Sequence, residues 1–196
     1  MGKNQKTKKL LFFEFARGHK PQGKVVFEIY NDLAPQTAAY FTKLATLRSG
    51  GYLGSQLSKL VPDGYLQGGE IKDVEKPSVI GENFDRRHAH AGVLSLNADS
   101  CQFTVTLGEA KYFDGKNVVV GQVTQGMDVL KEIAKVPTDV NSKPRIPITI
   151  TACGDELTES DLSEDKPSKV QEYLQTLKDN ESGEEGSIQE ESIEPT

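Results

Sequence analysis

Two polar side chains on either side of a predicted tight turn are the first candidates for chemistry in this chain. Lys59 precedes the turn at 62–64, which reads Pro-Asp-Gly, and Gln67 follows it. Proline presets φ at the second position of a β-turn, and glycine tolerates the positive φ that follows. The stretch YLGSQLSKLVPDGYLQGGE at 52–70 therefore predicts a hairpin whose facing strands point a cation and an amide into one groove.

Histidine and cysteine side chains are the other positions capable of chemistry. His88 and His90 alternate along the chain, but no cysteine or carboxylate stands at ligand spacing, so we interpret them as two surface histidines and expect no metal. Nothing near Cys101 would lower its pKa, which favours a small strand-end residue over a reactive thiol. Cys153 is expected to be buried and inert. We expect no cofactor.

Most of the chain around these residues is predicted to be β-strand. Apolar runs rich in β-branched and aromatic residues predict strands at 10–17, 24–31, 93–97, 102–107, 118–123 and 146–152, in addition to the two of the hairpin. Apolar residues at helical spacing predict one helix that begins near Asp32 and Pro35 and ends before Gly50, and a second at 126–136. Strands and helices do not alternate. We predict a mainly β fold, an eight-stranded antiparallel closed barrel capped by two α-helices, because closure removes sheet edges.

Charge divides the chain of 196 residues into two parts. Residues 1–154 carry 15 acidic and 20 basic side chains, whereas the remaining residues carry 14 acidic and 3 basic ones. We therefore predict a flexible basic N-terminus at 1–8, a barrel domain at 9–157 and an acidic tail at 158–196. Apolar residues at helical spacing predict a short amphipathic helix at about 168–179, and the rest of the tail is expected to be disordered.

The same composition restricts the classes of partner. The acidic tail argues against nucleic-acid binding by the whole chain, and no apolar run approaches the length of a membrane span. With no secretory signal and only two cysteines, we expect reduced thiols in a cytoplasmic or nuclear protein. The tail helix either packs on the barrel or binds a protein partner, and both alternatives stay open.

Seven segments of the sequence occur together in one order. They are KVVFEIYNDLAPQTAAYF, the GSxxxKxxP…QGGE hairpin, GENF, GVLS, QF, FDGKNVVVGQVTQGMDVL and ITACG. In this order and spacing, residues 10–157 resemble the cyclophilins, the cyclosporin-binding peptidyl-prolyl isomerases. The resemblance implies an eight-stranded barrel capped by two helices, with a groove for proline-containing peptides on one outer face.

The resemblance also assigns roles to residues, and most of the site departs from the family. The catalytic arginine of the family falls on Lys59. The two phenylalanines of the proline pocket fall on Gly64 and Thr104, and the tryptophan that helps to bind cyclosporin falls on Tyr112. The residues implied to bind substrate are Gln67, Tyr65, Asn97, Gln102, Thr104, Tyr112, Phe113 and Asn117, of which only the two glutamines match the family residue.

The chemistry of prolyl isomerisation explains why these departures matter. Rotation about the bond crosses a barrier of about 18–20 kcal/mol and needs no acid, base or nucleophile. The enzyme holds the proline ring and stabilises the twisted amide with a fixed donor. Lys59 supplies a flexible point charge instead of a planar fork. We therefore expect weak or absent isomerase activity and poor binding of cyclosporin.

For three of these residues, a purely structural role is an alternative to the functional one. Lys59 is also read as an exposed strand lysine, Gln67 as a structural amide between strands, and Phe113 as a packed aromatic beside an ordinary turn. Two functions stay open from the sequence. One is an isomerase of proline-containing peptides with Lys59 as a substitute donor, and the other is a non-catalytic protein adaptor that uses the barrel face and the tail helix.

Overall fold

The computed structural model describes residues 9–72, 74 and 82–157. The predicted N-terminal arm and the predicted tail helix at about 168–179 lie outside these residues. The described residues up to Glu156 belong to one compact unit. In that part of the chain, no helix combines the length and the apolar character needed to cross a lipid bilayer.

Eight strands and two helices make up this unit. The strands are β1 (Lys9–Arg17), β2 (Lys20–Ile29), β3 (Leu57–Val61), β4 (Tyr65–Gly68), β5 (Val93–Asn97), β6 (Phe103–Thr106), β7 (Asn117–Gln125) and β8 (Ile148–Asp155). The helices are α1 (Pro35–Thr46) and α2 (Met127–Ile133), and a single 3₁₀ turn spans Lys111–Phe113. Each predicted strand and helix up to residue 157 is present, with ends shifted by a few residues.

The strands form one antiparallel sheet in the order β3-β4-β6-β5-β7-β2-β1-β8. The two outermost strands approach each other at an isolated bridge between Gln56 and Thr149. Beside it, the Gly54 amide donates to the Ile150 carbonyl at 2.8 Å. The sheet is therefore a nearly closed barrel, and the predicted fold is confirmed.

An aromatic cluster fills the barrel around Phe13. Its ring lies 5.3–6.3 Å, centroid to centroid, from five other rings, those of Phe15, Phe27, Phe41, Tyr52 and Phe103. Phe41 comes from the buried face of α1, so the helix packs over this cluster and covers one side of it. The cluster joins β1, β2, β6 and α1 in one core.

The turn between β3 and β4 differs in one detail from the prediction. The Gly64 amide donates to the Val61 carbonyl at 3.1 Å, as a tight turn requires. The positive φ, however, belongs to Asp63 (57°) and not to Gly64. Pro62 takes the second position of the turn, so the left-handed conformation falls on the third position, where aspartate tolerates it.

Candidate functional site

Register places four polar residues in one row across the outer face of the barrel. Lys59 of β3 pairs with Gln67 of β4, Gln67 pairs with Thr104 of β6, and Thr104 pairs with Ser95 of β5. Directly paired residues of antiparallel strands project to the same face. The residues beside them on the four strands point into the core: Leu60, Leu66, Val105 and Leu94. The prediction that Lys59 and Gln67 lie on facing strands is confirmed.

Lys59 stands at the exposed end of this row. Among the described residues no carboxylate forms an ion pair with its ammonium group. Its strand neighbour Leu60 is held through a backbone hydrogen bond from its amide to the Ser142 carbonyl at 2.8 Å. The backbone at Lys59 is thus fixed, whereas no side chain in the described part of the protein fixes its charged head by an ion pair.

The other end of the row is a buried polar network, which we call the polar floor: Ser95, Thr104 and Asn117. Ser95 and Thr104 are fully buried and Asn117 is 2% exposed. The Asn117 Nδ2 group donates to Ser95 Oγ at 3.3 Å and to Thr104 Oγ1 at 3.2 Å. Burial of polar groups costs free energy unless they are hydrogen-bonded, and here they bond to one another. The floor is therefore closed and satisfied from within.

Two aromatic side chains on this outer face form what we call the aromatic cover, Tyr65 and Phe113. Their rings meet edge to face, with centroids 4.7 Å apart and planes at 90°. Tyr65 pairs with the fully buried Thr106, which lies two residues after Thr104 of the polar floor on β6. Phe113 is 6% exposed. Full burial on an outer face requires a cover, and the pairing of Tyr65 with Thr106 places these two rings beside the buried row.

Tyr112 lies beside the cover and is largely exposed. It is 70% exposed, its ring centroid is 5.3 Å from that of Phe113, and the ammonium nitrogen of Lys116 stands 3.5 Å from its own centroid. A cation over an aromatic face is attracted by the ring quadrupole. Tyr112 is therefore an exposed rim residue that carries a positive charge on one face.

Asn97 and Gln102 lie at the tight turn between β5 and β6. The Asn97 side-chain oxygen accepts the Asp99 amide at 2.9 Å, and the Asn97 backbone amide donates to the Gln102 carbonyl at 2.9 Å. Asn97 also pairs with Asn117, which places this turn next to the polar floor. The structure thus brings all the candidate residues to one outer face, although the Asn97 side chain is engaged in its own turn.

His88 corrects one prediction, because it is fully buried and is not a surface histidine. Its Nδ1 atom and its backbone amide each lie 2.9 Å from Asp114 Oδ1. These hydrogen bonds, from the backbone and then from the ring, hold the pKa of the Asp114 carboxyl below its ordinary value. His90 is exposed, as predicted. Residues 88 and 114 are too far apart in sequence for spacing to indicate their pairing.

Glu82, in the GENF segment, is a second residue that sequence reasoning missed. Its carboxylate accepts the backbone amides of Gln36 and Thr37, both at 2.9 Å, and the Thr37 hydroxyl at 2.8 Å. Desolvation by burial would raise the pKa of Glu82, but these three hydrogen bonds outweigh it and lower the pKa. Nearby, the Asn83 side chain donates to the Leu33 carbonyl at 3.0 Å. This segment therefore caps the N-terminus of α1.

Both cysteines are free thiols. Cys101 is buried, with its sulfur 3.1 Å from the Gly69 carbonyl oxygen. Burial raises the pKa of Cys153 to about 11, which suppresses its thiolate at neutral pH. Within residues 9–72, 74 and 82–157, no three histidine, cysteine or acidic side chains gather in a group suited to a metal ion.

Comparison with known proteins gives one consistent result. The family "Cyclophilin type peptidyl-prolyl cis-trans isomerase/CLD" matches residues 12–155. Peptidyl-prolyl cis-trans isomerase H of Rhizopus delemar is 32% identical over 171 residues, which cover 77% of this chain and 96% of the relative. Peptidyl-prolyl cis-trans isomerase B of Saccharomyces cerevisiae is 35% identical over 161 residues, covering 74% and 78%. Peptidyl-prolyl cis-trans isomerase 11 of Caenorhabditis elegans is 32% identical over 164 residues, covering 74% and 90%.

Proposed function

The chain belongs to the cyclophilin-type peptidyl-prolyl isomerase family, and we propose that it binds proline-containing peptide segments while isomerising them weakly or not at all. The binding surface is the outer-face groove, comprising the row from Lys59 to Ser95, the polar floor, the aromatic cover and the rim at Tyr112. Two free thiols support a reducing compartment, the cytoplasm or the nucleus.

The observation that carries the proposal is the closed state of the groove beneath Lys59. A proline ring gains on the order of 2 kcal/mol when it is buried against apolar walls. In this chain the polar floor is buried and self-bonded, and the rings of Tyr65 and Phe113 pack against each other. A ring that entered would have to part the aromatic cover and then meet hydroxyl and amide groups, so little binding energy is left to hold it.

Lys59 adds a second limitation. A donor raises the rate only if it strengthens its bond in the twisted transition state, and a preorganised donor is typically worth about 10²–10³ in rate. The ammonium group of Lys59 is exposed and has no ion-pair partner among the described residues. Its flexible side chain must be ordered again in each catalytic cycle, which reduces the transition-state stabilisation that it provides.

Poor binding of cyclosporin is part of the same proposal. By family resemblance, the ring that helps to bind this ligand is Tyr112, which is smaller than tryptophan and engaged by Lys116. Thr104, a polar residue of the floor, stands where the resemblance implies a pocket phenylalanine. Both changes reduce the apolar area that a cyclic peptide would bury.

The test is isomerisation of a short proline peptide, measured by NMR exchange between its cis and trans forms, with the yeast isomerase B as the positive control. We expect a rate at least about 10²-fold below that of the control. Binding is measured separately by titration of a proline peptide and its alanine counterpart. A rate equal to the control would refute the proposed loss of activity, and equal affinity for the two peptides would refute recognition of proline.

A second function is favoured by the same closed groove. A surface whose pocket is shut, with Tyr112 exposed at its rim, is suited to an adaptor that binds a protein partner without turnover. In this alternative the predicted tail helix at about 168–179 supplies a second contact. Capture of partners by the full chain is compared with capture by a variant in which Leu174 and Leu177 are both serine. Retention of every partner by that variant would exclude the contribution of the tail helix.

A further inference from the structure

Among the described residues, the buried side chain of His88 keeps one hydrogen-bonding atom without a partner. Its side chain is fully buried, its Nδ1 bonds to Asp114, and its Nε2 lacks a partner among the described residues. An unsatisfied buried polar atom costs free energy, so an apolar residue would stabilise this position better. A histidine here needs a reason other than stability of the core.

The contacts of His88 indicate that reason. Its carbonyl accepts the Ala110 amide at 2.8 Å, and its own amide donates to Asp114 at 2.9 Å. Ala110 and Asp114 are the two residues that flank the 3₁₀ turn carrying Tyr112 and Phe113. The backbone of His88 therefore bonds to both ends of this turn, and its ring adds a second bond to Asp114 through Nδ1 at 2.9 Å.

The imidazole ring also reaches the aromatic cover. Its centroid lies 5.6 Å from that of Phe113, which in turn meets Tyr65 edge to face. The Phe113 ring thus contacts both the imidazole and the Tyr65 ring. Fixing the turn from His88 fixes the direction in which Phe113 points.

We propose that His88 and Asp114 form a positioning pair that holds Phe113 against Tyr65 and so keeps the cover of the groove closed. The inference rests on the proposed function, because it states which residues control the entry of a ring into the proposed groove. Neither residue contacts a ligand in this role. The pair determines how far an incoming ring advances toward Thr104.

The test measures access to Thr104, which is fully buried under the closed cover. In a full-length Thr104→Cys variant, we measure the rate at which a small maleimide labels the new thiol and locate the product by peptide mass spectrometry. The masses of the labelled peptides distinguish the thiol at position 104 from those of Cys101 and Cys153. Adding His88→Leu removes a hydrogen bond to a charged group. This loss should open the cover enough to raise the labelling rate about tenfold.

Three companion variants distinguish positioning from packing. His88→Asn keeps a donor close to the position of Nδ1 and should restore slow labelling, although it removes the ring. Asp114→Asn changes a residue whose side chain is 23% exposed, so it keeps the test decisive if His88→Leu does not fold. It replaces the charged acceptor by a neutral one and should raise labelling, by less than His88→Leu does. His90→Leu changes the exposed neighbour and should leave the rate unchanged.

Each outcome bears on the inference alone. Unchanged labelling in both His88→Leu and Asp114→Asn overturns it, as does an equal rise in His90→Leu. Failure of His88→Asn to restore slow labelling also overturns it, since bulk and not the hydrogen bond would then hold the cover. The labelling rate does not depend on any peptide. A failed proposal for proline recognition would therefore appear only in the titration of proline and alanine peptides.

Discussion

In the proposed function, Lys59 is the single side chain that most limits catalysis in the groove. The family resemblance places an arginine there, and the register places Lys59 opposite Gln67 on the outer face. Arginine presents a planar array of donors with a fixed geometry, whereas lysine presents a mobile point charge. The difference affects the rate only if a substrate is held close enough for the donor to act.

The first prediction concerns Lys59→Arg. Because the closed cover and the polar floor limit entry of the proline ring, this change alone should raise kcat/KM by less than about tenfold, well below the 10²–10³ that a preorganised donor can supply. The measurement is the NMR exchange assay on a proline peptide. Lys43→Arg, at an exposed position on α1, is the matched control. A gain of two orders of magnitude from Lys59→Arg would show that the pocket already accepts the ring.

The polar floor departs from the family residue at Thr104 and also forms a network that resists opening. Ser95, Thr104 and Asn117 are buried on the outside of the barrel, and at Thr104 the family resemblance implies a phenylalanine of the proline pocket. Their hydrogen bonds are internal, so no ligand is needed to satisfy them. A satisfied network is costly to open, because each exposed partner loses its bond.

Among the elements, α1 depends on a residue that lies outside it. No side chain caps its N-terminus from within the helix, and Glu82 accepts the first free amides instead. A negative charge at this end also interacts favourably with the helix dipole. The GENF segment therefore fixes the helix that carries Phe41 into the core.

The second prediction concerns Glu82→Gln. Loss of the charge should lower the free energy of unfolding by about 0.5–1 kcal/mol. This is the lower end of the range for a helix cap, because solvent screens this partly exposed group. The measurement is urea denaturation at pH 7, with Asp85→Asn in the same loop as the control. A cost equal to that of the control would mean that the carboxylate does not cap α1.

The pH dependence of this effect has a definite sign. The folded pKa of Glu82 is below its ordinary value, so folding favours the ionised form. Its contribution is present above the ordinary glutamate pKa of about 4.3 and is lost as the pH falls through the lower folded pKa. The difference in stability between the protein and Glu82→Gln should therefore shrink over that interval. A difference that grew on acidification would contradict the assigned hydrogen bonds.

For the whole molecule, the decisive feature is one continuous aromatic core. The Phe13 ring contacts aromatic rings from β1, β2, β6, α1 and the segment after α1. Interiors are close-packed, so a void at this position removes contacts from several elements at once. The barrel and its first helix should therefore unfold together.

The third prediction is made for Phe13→Ala. It should destabilise the barrel by about 3–5 kcal/mol, the usual cost when a large buried aromatic is replaced by alanine. The measurement is urea denaturation followed by two probes, far-ultraviolet circular dichroism and tyrosine fluorescence. Phe12→Ala, the partly exposed neighbour on the opposite face of β1, should cost less. Transitions that differ between the two probes would contradict a single cooperative unit.

The sequence by itself determined the elements and the family of this protein. Strand and helix periodicities, the turn between Val61 and Tyr65 and the facing positions of Lys59 and Gln67 depend on residues close together in the chain. Such local rules can be read from a single sequence. The family motifs extend this to the barrel itself, since they recur across residues 12–155.

Only the tertiary structure decided how the groove is closed. The partners His88 and Asp114, Tyr65 and Phe113, and Glu82 and Thr37 lie far apart in sequence and meet through barrel closure. Their burial depends on which segments pack over the outer face, and no periodicity carries that information. His88 was misread as a surface residue for this reason, because polarity alone does not reveal a partner that is supplied from another part of the chain.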